Sequence, residues 1–113
     1  MNITVVKDGE ALSIALAGRL DGTTVQSVEE AFLKELAAGE SRFVFDLERL
    51  DYVSSAGLRV MLLAAKKTRG VGGKLALFGL NENVREVFEI SGFHKIFALF
   101  ATRSEAAAFV SAP

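Results

Sequence analysis

The chain predicts a layered α/β domain, and three observations carry that prediction. Its hydrophobic period alternates between two and about 3.6 along the whole length, which is the pattern of strands interleaved with helices. Half of its 113 residues are apolar, enough for one core of ordinary size and too few residues for a second domain. Proline occurs only at Pro113, and neither a linker nor a low-complexity tract interrupts the pattern, so residues 1–113 read as a single domain.

Ile3 to Val6 and Leu12 to Leu16 read as two strands around an Asp8-Gly9 turn, the short signal of a hairpin. Val25, Val28, Phe32 and Leu36 then line one side of a helix capped near Thr23 and stopped at Gly39, with acids on its other side. Phe43 to Phe45 form a continuous apolar run, as expected of a central strand covered on both faces. A second helix is expected from about Ala56 to Arg69, with Leu58, Met61, Leu62 and Ala65 on its buried face. Lys66, Lys67 and Arg69 suit its negative end, and Gly70-Val71-Gly72-Gly73 terminates it. Leu75 to Phe78 make another strand, and Val84, Val87 and Phe88 mark a short helix closed by Gly92. Ile96 to Phe100 read as the last strand. Thr102-Arg103-Ser104-Glu105 has the S/T-x-x-E pattern of a capping box and introduces a final helix through about Val110.

Thirteen basic and 14 acidic side chains leave a formal charge of -1, so no field of one sign argues for direct nucleic-acid binding. The absence of cysteine excludes disulfides and thiolate metal sites and is compatible with a reducing cytoplasm. The N-terminus lacks a basic start and long apolar core, and no apolar run approaches membrane-spanning length; a cytoplasmic location without membrane insertion is expected. Three constellations resemble enzyme sites superficially. Gly70-Val71-Gly72-Gly73-Lys74 is followed by Leu75, where a phosphate-binding loop needs Ser or Thr opening a helix. His94 is the lone histidine and is expected to pack beside the Gly92 turn, so no multi-imidazole metal site can form. Asp46, Glu48 and Asp51 read as solvated loop acids at the exit of the central strand. No catalytic residue, cofactor or metal is expected, and function must come from recognition.

The stretch Tyr52-Val53-Ser54-Ser55-Ala56-Gly57-Leu58-Arg59-Val60 sets two hydroxyls where an extended segment turns into a helix that starts at or just after Ser55. The unpaired N–H groups and positive dipole end of a first helical turn tolerate an anion, so Ser55 is a candidate phosphate acceptor. The ordinary role of serine at such a place is the N-cap, and both readings stand at this point.

Several blocks resemble the STAS domain (sulphate transporter and anti-sigma factor antagonist) in order and spacing. Gly18-Arg19-Leu20-Asp21 is similar to the family's Gly-x-Leu-Asp, Phe43-Val44-Phe45-Asp46-Leu47 to its central strand, and Ser55-Ala56-Gly57-Leu58 to its Ser-Ser/Thr-Gly-Leu. Val84-Arg85-Glu86-Val87-Phe88 with Ser91-Gly92-Phe93 and Ile96 resembles its late helix and following strand. The resemblance implies a mixed sheet of about five strands with four helices packed mainly on one side. It also implies an anti-sigma factor antagonist of bacterial partner switching. The unphosphorylated form of such a protein binds an anti-sigma serine kinase, phosphorylation of the motif serine releases it, and a separate serine phosphatase restores it. By motif position that serine is Ser55, with Ser54 as a rival, and Asp21, Ser54, Ser55, Ala56, Gly57, Leu58 and Arg59 form the implied partner-binding set. The other implied role is a non-phosphorylated scaffold subunit of a membrane transporter or lipid-transport ATPase, with Ser55 only a cap.

Three positions depart from the family pattern. Ser54 stands where an Asp often precedes the target serine, Ala56 replaces the second hydroxyl, and Arg59 stands where glycine often follows Gly-Leu. Gly57 permits close approach of a partner or phosphate, or tight internal packing. Asp21 supports the site or caps the first helix. Arg59, four residues beyond Ser55, can share its helical face and clamp a phosphate there, or face solvent and a partner.

Overall fold

The computed structural model describes residues 1–113. Five strands, β1 (Asn2–Asp8), β2 (Ala11–Leu20), β3 (Arg42–Val53), β4 (Lys74–Phe78) and β5 (Ala98–Phe100), form one sheet in sequential order. β1 pairs antiparallel with β2, and the remaining pairs are parallel, so the sheet is mixed as expected. Three helices connect the parallel strands, α1 (Val25–Ala37), α2 (Ser55–Gly70) and α3 (Glu82–Ile90), and α4 (Arg103–Ser111) follows β5.

The strand period divides the core between the two faces of the sheet. On β3, Phe43, Phe45 and Leu47 join Ile14 and Leu16 of β2 under α1, α2 and α3, whereas Val44 faces the opposite way with Ala76, Phe78 and the Ala106 and Val110 of α4. Three helices therefore cover one face and one covers the other. Phe32 of α1 sits 4.8 Å from Phe43, ring centre to ring centre, and each such fully buried aromatic contributes roughly 1.5–3 kcal/mol. The capping box at Thr102 and Glu105 forms as the sequence predicts, starting α4.

Several expectations shift. The hairpin turn lies at Gly9-Glu10, one residue on, because Asp8 pairs with Ala11 and Gly9 takes a φ of +62°. The α1 cap position is Thr24 rather than Thr23, and the Thr24 hydroxyl donates to the Arg19 carbonyl instead of closing the helix. Phe93–Lys95 form a single 3₁₀ turn, and the Ile96 and Phe97 N–H groups donate back to the Phe93 carbonyl, so the last strand starts at Ala98 rather than Ile96 and β5 is three residues long; His94 is exposed on that turn.

The central strand is longer than its apolar run suggests, and Asp46, Glu48 and Asp51 lie inside it rather than in a loop. Pairing with β2 slips between Ala15 and Ala17 and again between Gly18 and Arg19, each time placing an extra residue on β3. Leu47, Leu50 and Val53 consequently all face the core at a spacing of three, which hides the strand period. Asp46 is buried and receives the Arg103 guanidinium at 2.7 Å, and Ser13 accepts from the same side chain at 3.3 Å. This acid ties α4 to the sheet. A buried carboxylate needs such a partner, since unpaired burial of charge is costly.

Candidate functional site

The Ser54-Ser55 pair sits where β3 hands over to α2. The Ser54 N–H donates to the Leu20 carbonyl at 2.9 Å, so the end of β2 and the start of α2 are joined. Ser54 is extended, with φ -95° and ψ 176°, and its Oγ accepts from the Gly57 N–H at 3.2 Å. It is the N-cap. Ser55 follows as the first helical residue, exposed, with its hydroxyl in no hydrogen bond of the structure. The cap that the sequence allowed at Ser55 therefore belongs to its neighbour, because one extended residue must precede the helical turn and only Ser54 has that geometry.

Motif residues beyond the pair divide by the period of the helix. Leu58 is 7% exposed and joins the main core, and Gly57 is buried. A Cβ on Gly57 would lie 2.7 Å from the Leu20 carbonyl oxygen and 2.8 Å from Val53 Cγ2. Leu58 takes the buried helix face that its spacing predicts, and Gly57 the tight internal packing that was one of its two expected roles, so both seat the helix against β2 and β3. Ala56 is half-buried. Arg59 is exposed, four residues beyond Ser55 on the same side of a helix that does extend back to Ser55, and it has no ion-pair partner.

Asp21 directly follows the residue that receives the Ser54 N–H. Its carboxylate does not cap α1. Oδ1 accepts from the Thr23 hydroxyl at 2.6 Å and the Thr23 N–H at 2.9 Å, folding the turn before the helix. Those bonds from Thr23, the hydroxyl foremost, lower the Asp21 pKa from its ordinary value, with a smaller contribution from Arg19, whose Nε lies 3.6 Å from Oδ2.

Arg19 and Tyr52 are the surface residues that sequence reasoning passed over. They pair across β2 and β3, and the guanidinium stacks 4.1 Å above the Tyr52 ring centre, held between the ring and Asp21. Tyr52 is 40% exposed. Their meeting depends on the second register slip, which nothing local in the sequence announces. The assembled surface carries a free hydroxyl, a fixed carboxylate, a stacked guanidinium and an exposed phenol. It offers recognition groups and an acceptor for a transferred group. No helix of the structure is long and apolar enough to cross a membrane.

Comparison with known proteins gives one consistent grouping. A family model described as the STAS domain matches residues 2–106. The chain is 46% identical over 108 residues to BtrV of Bordetella bronchiseptica, a candidate anti-sigma factor antagonist, covering 96% of this chain and 93% of that protein. It is 32% identical over 99 residues to the anti-sigma-B factor antagonist of Listeria monocytogenes, covering 85% and 87%. Among solved structures, a candidate anti-sigma factor antagonist from Thermotoga maritima superposes with a TM-score of 0.92 at 21% identity, covering 97% and 95%, a likeness of fold.

Proposed function

Because the chain belongs to the STAS domain family, we propose that it is an anti-sigma factor antagonist working by partner switching, with Ser55 as its phosphorylation site. The unphosphorylated protein binds an anti-sigma serine kinase and so frees a sigma factor. Phosphate on Ser55 ends that binding, and a serine phosphatase restores it. The protein acts by recognition, and the transferred group comes from ATP bound to the kinase.

One observation carries the choice of residue. Ser54 spends its oxygen on the Gly57 N–H, whereas Ser55 is exposed and uncommitted at the same helix start. A kinase needs an accessible hydroxyl. Modifying Ser54 would remove the cap as well, at about 1 kcal/mol, while modifying Ser55 leaves the cap in place. The phosphoryl group adds about -1.5 to -2 charges at neutral pH, and pressed against a partner surface fitted to a neutral serine it is repelled or poorly solvated. The first-turn N–H groups receive that charge without unfolding the helix. Binding is lost through the surface, and the fold survives.

Arg19, Asp21, Tyr52 and Arg59 complete the partner face in this reading. Arg59 has reach to a phosphate on Ser55 and weakens the off-signal by partly neutralising it. The test uses the serine kinase recovered with the unphosphorylated protein from its own cells. Incubation with ATP and peptide mapping by mass spectrometry should place a single phosphate on Ser55, abolish kinase binding, and leave the Ser55→Ala protein bound. A phosphate on Ser54 alone, or none on either serine with recovery of a transporter complex instead, overturns the proposal in favour of the scaffold role. Phosphorylated Arg59→Gly should bind more weakly than phosphorylated wild type; equal loss in both removes the clamp.

A further inference from the structure

The sequence places Leu62 on the buried face of α2, and the structure does not. The buried residues of this helix are Gly57, Leu58, Val60, Met61, Ala64 and Thr68. Leu62 and Leu63 lie on the other side, half-exposed, in a groove of about 680 Å³ whose opposite wall is Leu36 near the end of α1. Arg59, Lys66 and Lys67 rim it, and Val71, 56% exposed, closes its far end. At 3.6 residues per turn, Ser55, Arg59, Leu62, Leu63, Lys66 and Lys67 form one continuous stripe. Leu62 and Leu63 are the apolar members of this stripe, half-buried and outside the core that Leu58, Met61 and Ala64 join.

The charge around the groove is one-sided. None of its lining residues is acidic, and none of its three cations takes part in an ion pair. This occurs in a chain whose total charge is -1, so the local excess is a property of the groove. We infer that the α1–α2 groove is a second docking surface, and that its occupant is an acidic amphipathic helix of a protein partner. Apolar side chains of that helix fill the space over Leu36, Leu62 and Leu63, and its acids meet Arg59, Lys66 and Lys67. A lipid surface fits worse. Membrane-lying helices project their apolar face into the bilayer by about 5–10 Å, whereas these leucines are recessed between two helices. The stripe begins at Ser55, so a partner reading that serine can extend one helix along α2 into the groove. That last link rests on the proposed Ser55 switch; the groove's chemistry does not.

Three synthetic 18-residue helical peptides test the inference by titration into isotope-labelled protein: a Leu/Ala/Glu peptide with one apolar stripe, the same peptide with Lys for Glu, and a Glu-containing scramble without the stripe. The first should bind, shifting the amides of Leu62, Leu63 and Lys66, and the other two should bind at least ten-fold more weakly. The double variant Lys66→Glu, Lys67→Glu should lose at least ten-fold in affinity for the first peptide while its circular dichroism stays unchanged. No binding, equal binding of the acidic and basic peptides, or shifts confined to other elements overturns the inference. So does a response of the same amides to phosphatidylglycerol vesicles and not to the peptide, which assigns the groove to lipid. The Ser55→Ala protein is titrated in parallel. Retained peptide binding there, together with a wild-type protein that the kinase leaves unphosphorylated at Ser55, sinks the switch and keeps the groove.

Discussion

Gly57→Ala is the smallest change that asks what the glycine in the motif is for. The new methyl carbon would lie 2.7 Å from the Leu20 carbonyl oxygen, 2.8 Å from Val53 Cγ2 and 2.9 Å from Leu20 Cγ. Two of those atoms belong to side chains fully inside the core, and the oxygen is backbone already engaged by the Ser54 N–H. None can swing away. Restoring ordinary contact therefore requires the start of α2 to retreat by about 0.7 Å from β2, in an interior packed as densely as a crystal. Overpacking of this kind costs about 1–3 kcal/mol, offset by up to about 1 kcal/mol from the better helix propensity of alanine. The net expectation is a loss of about 1–2 kcal/mol, or a Tm lower by roughly 4–8 °C for a domain of this size. Urea denaturation followed by circular dichroism measures it, with the m-value expected to stay unchanged. A variant as stable as wild type to within about 0.5 kcal/mol would refute the packing argument. If that stable variant also lost kinase binding, Gly57 would be an approach point for the partner after all.

The paired serines should separate in the same assay. Ser54→Ala is expected to cost about 1 kcal/mol by leaving the Gly57 N–H uncapped, while Ser55→Ala changes stability by less than about 0.5 kcal/mol; reversed values would transfer the cap to Ser55. Asp21 should titrate below the ordinary aspartate value of about 3.9, because the Thr23 hydroxyl and N–H favour its charged form. The stabilisation of its turn is accordingly present above that ordinary value and lost as pH falls through the lower folded value. Carboxyl carbon shifts followed by NMR check this, and Thr23→Val should move the midpoint upward; a wild-type midpoint at or above 3.9 contradicts the assignment.

Much of this protein was legible from its residues in order. Apolar periods locate the helices and the cores of four strands, Thr102-x-x-Glu105 marks the start of α4, and Ser54-Ser55 ahead of Leu58 marks the start of α2. Such features are local, since a cap or an amphipathic stripe involves residues within one or two turns of each other. The lower half of β3 was not legible. Its two extra residues spread Leu47, Leu50 and Val53 to a spacing of three, and charged residues between them read as a loop until the pairing with β2 is known.

What the sequence by itself determined is the order of elements, the family and the pair of hydroxyls at a helix start. Tertiary structure decided which hydroxyl is spent, that Gly57 packs against Leu20 and Val53, that Arg19 meets Tyr52, and that Leu62 faces a groove. The reason is physical. A residue's type limits what it can do, but exposure, free lone pairs and charge neighbours arise from segments that are distant in the chain, such as Leu20 against Ser54 or Leu36 beside Leu63.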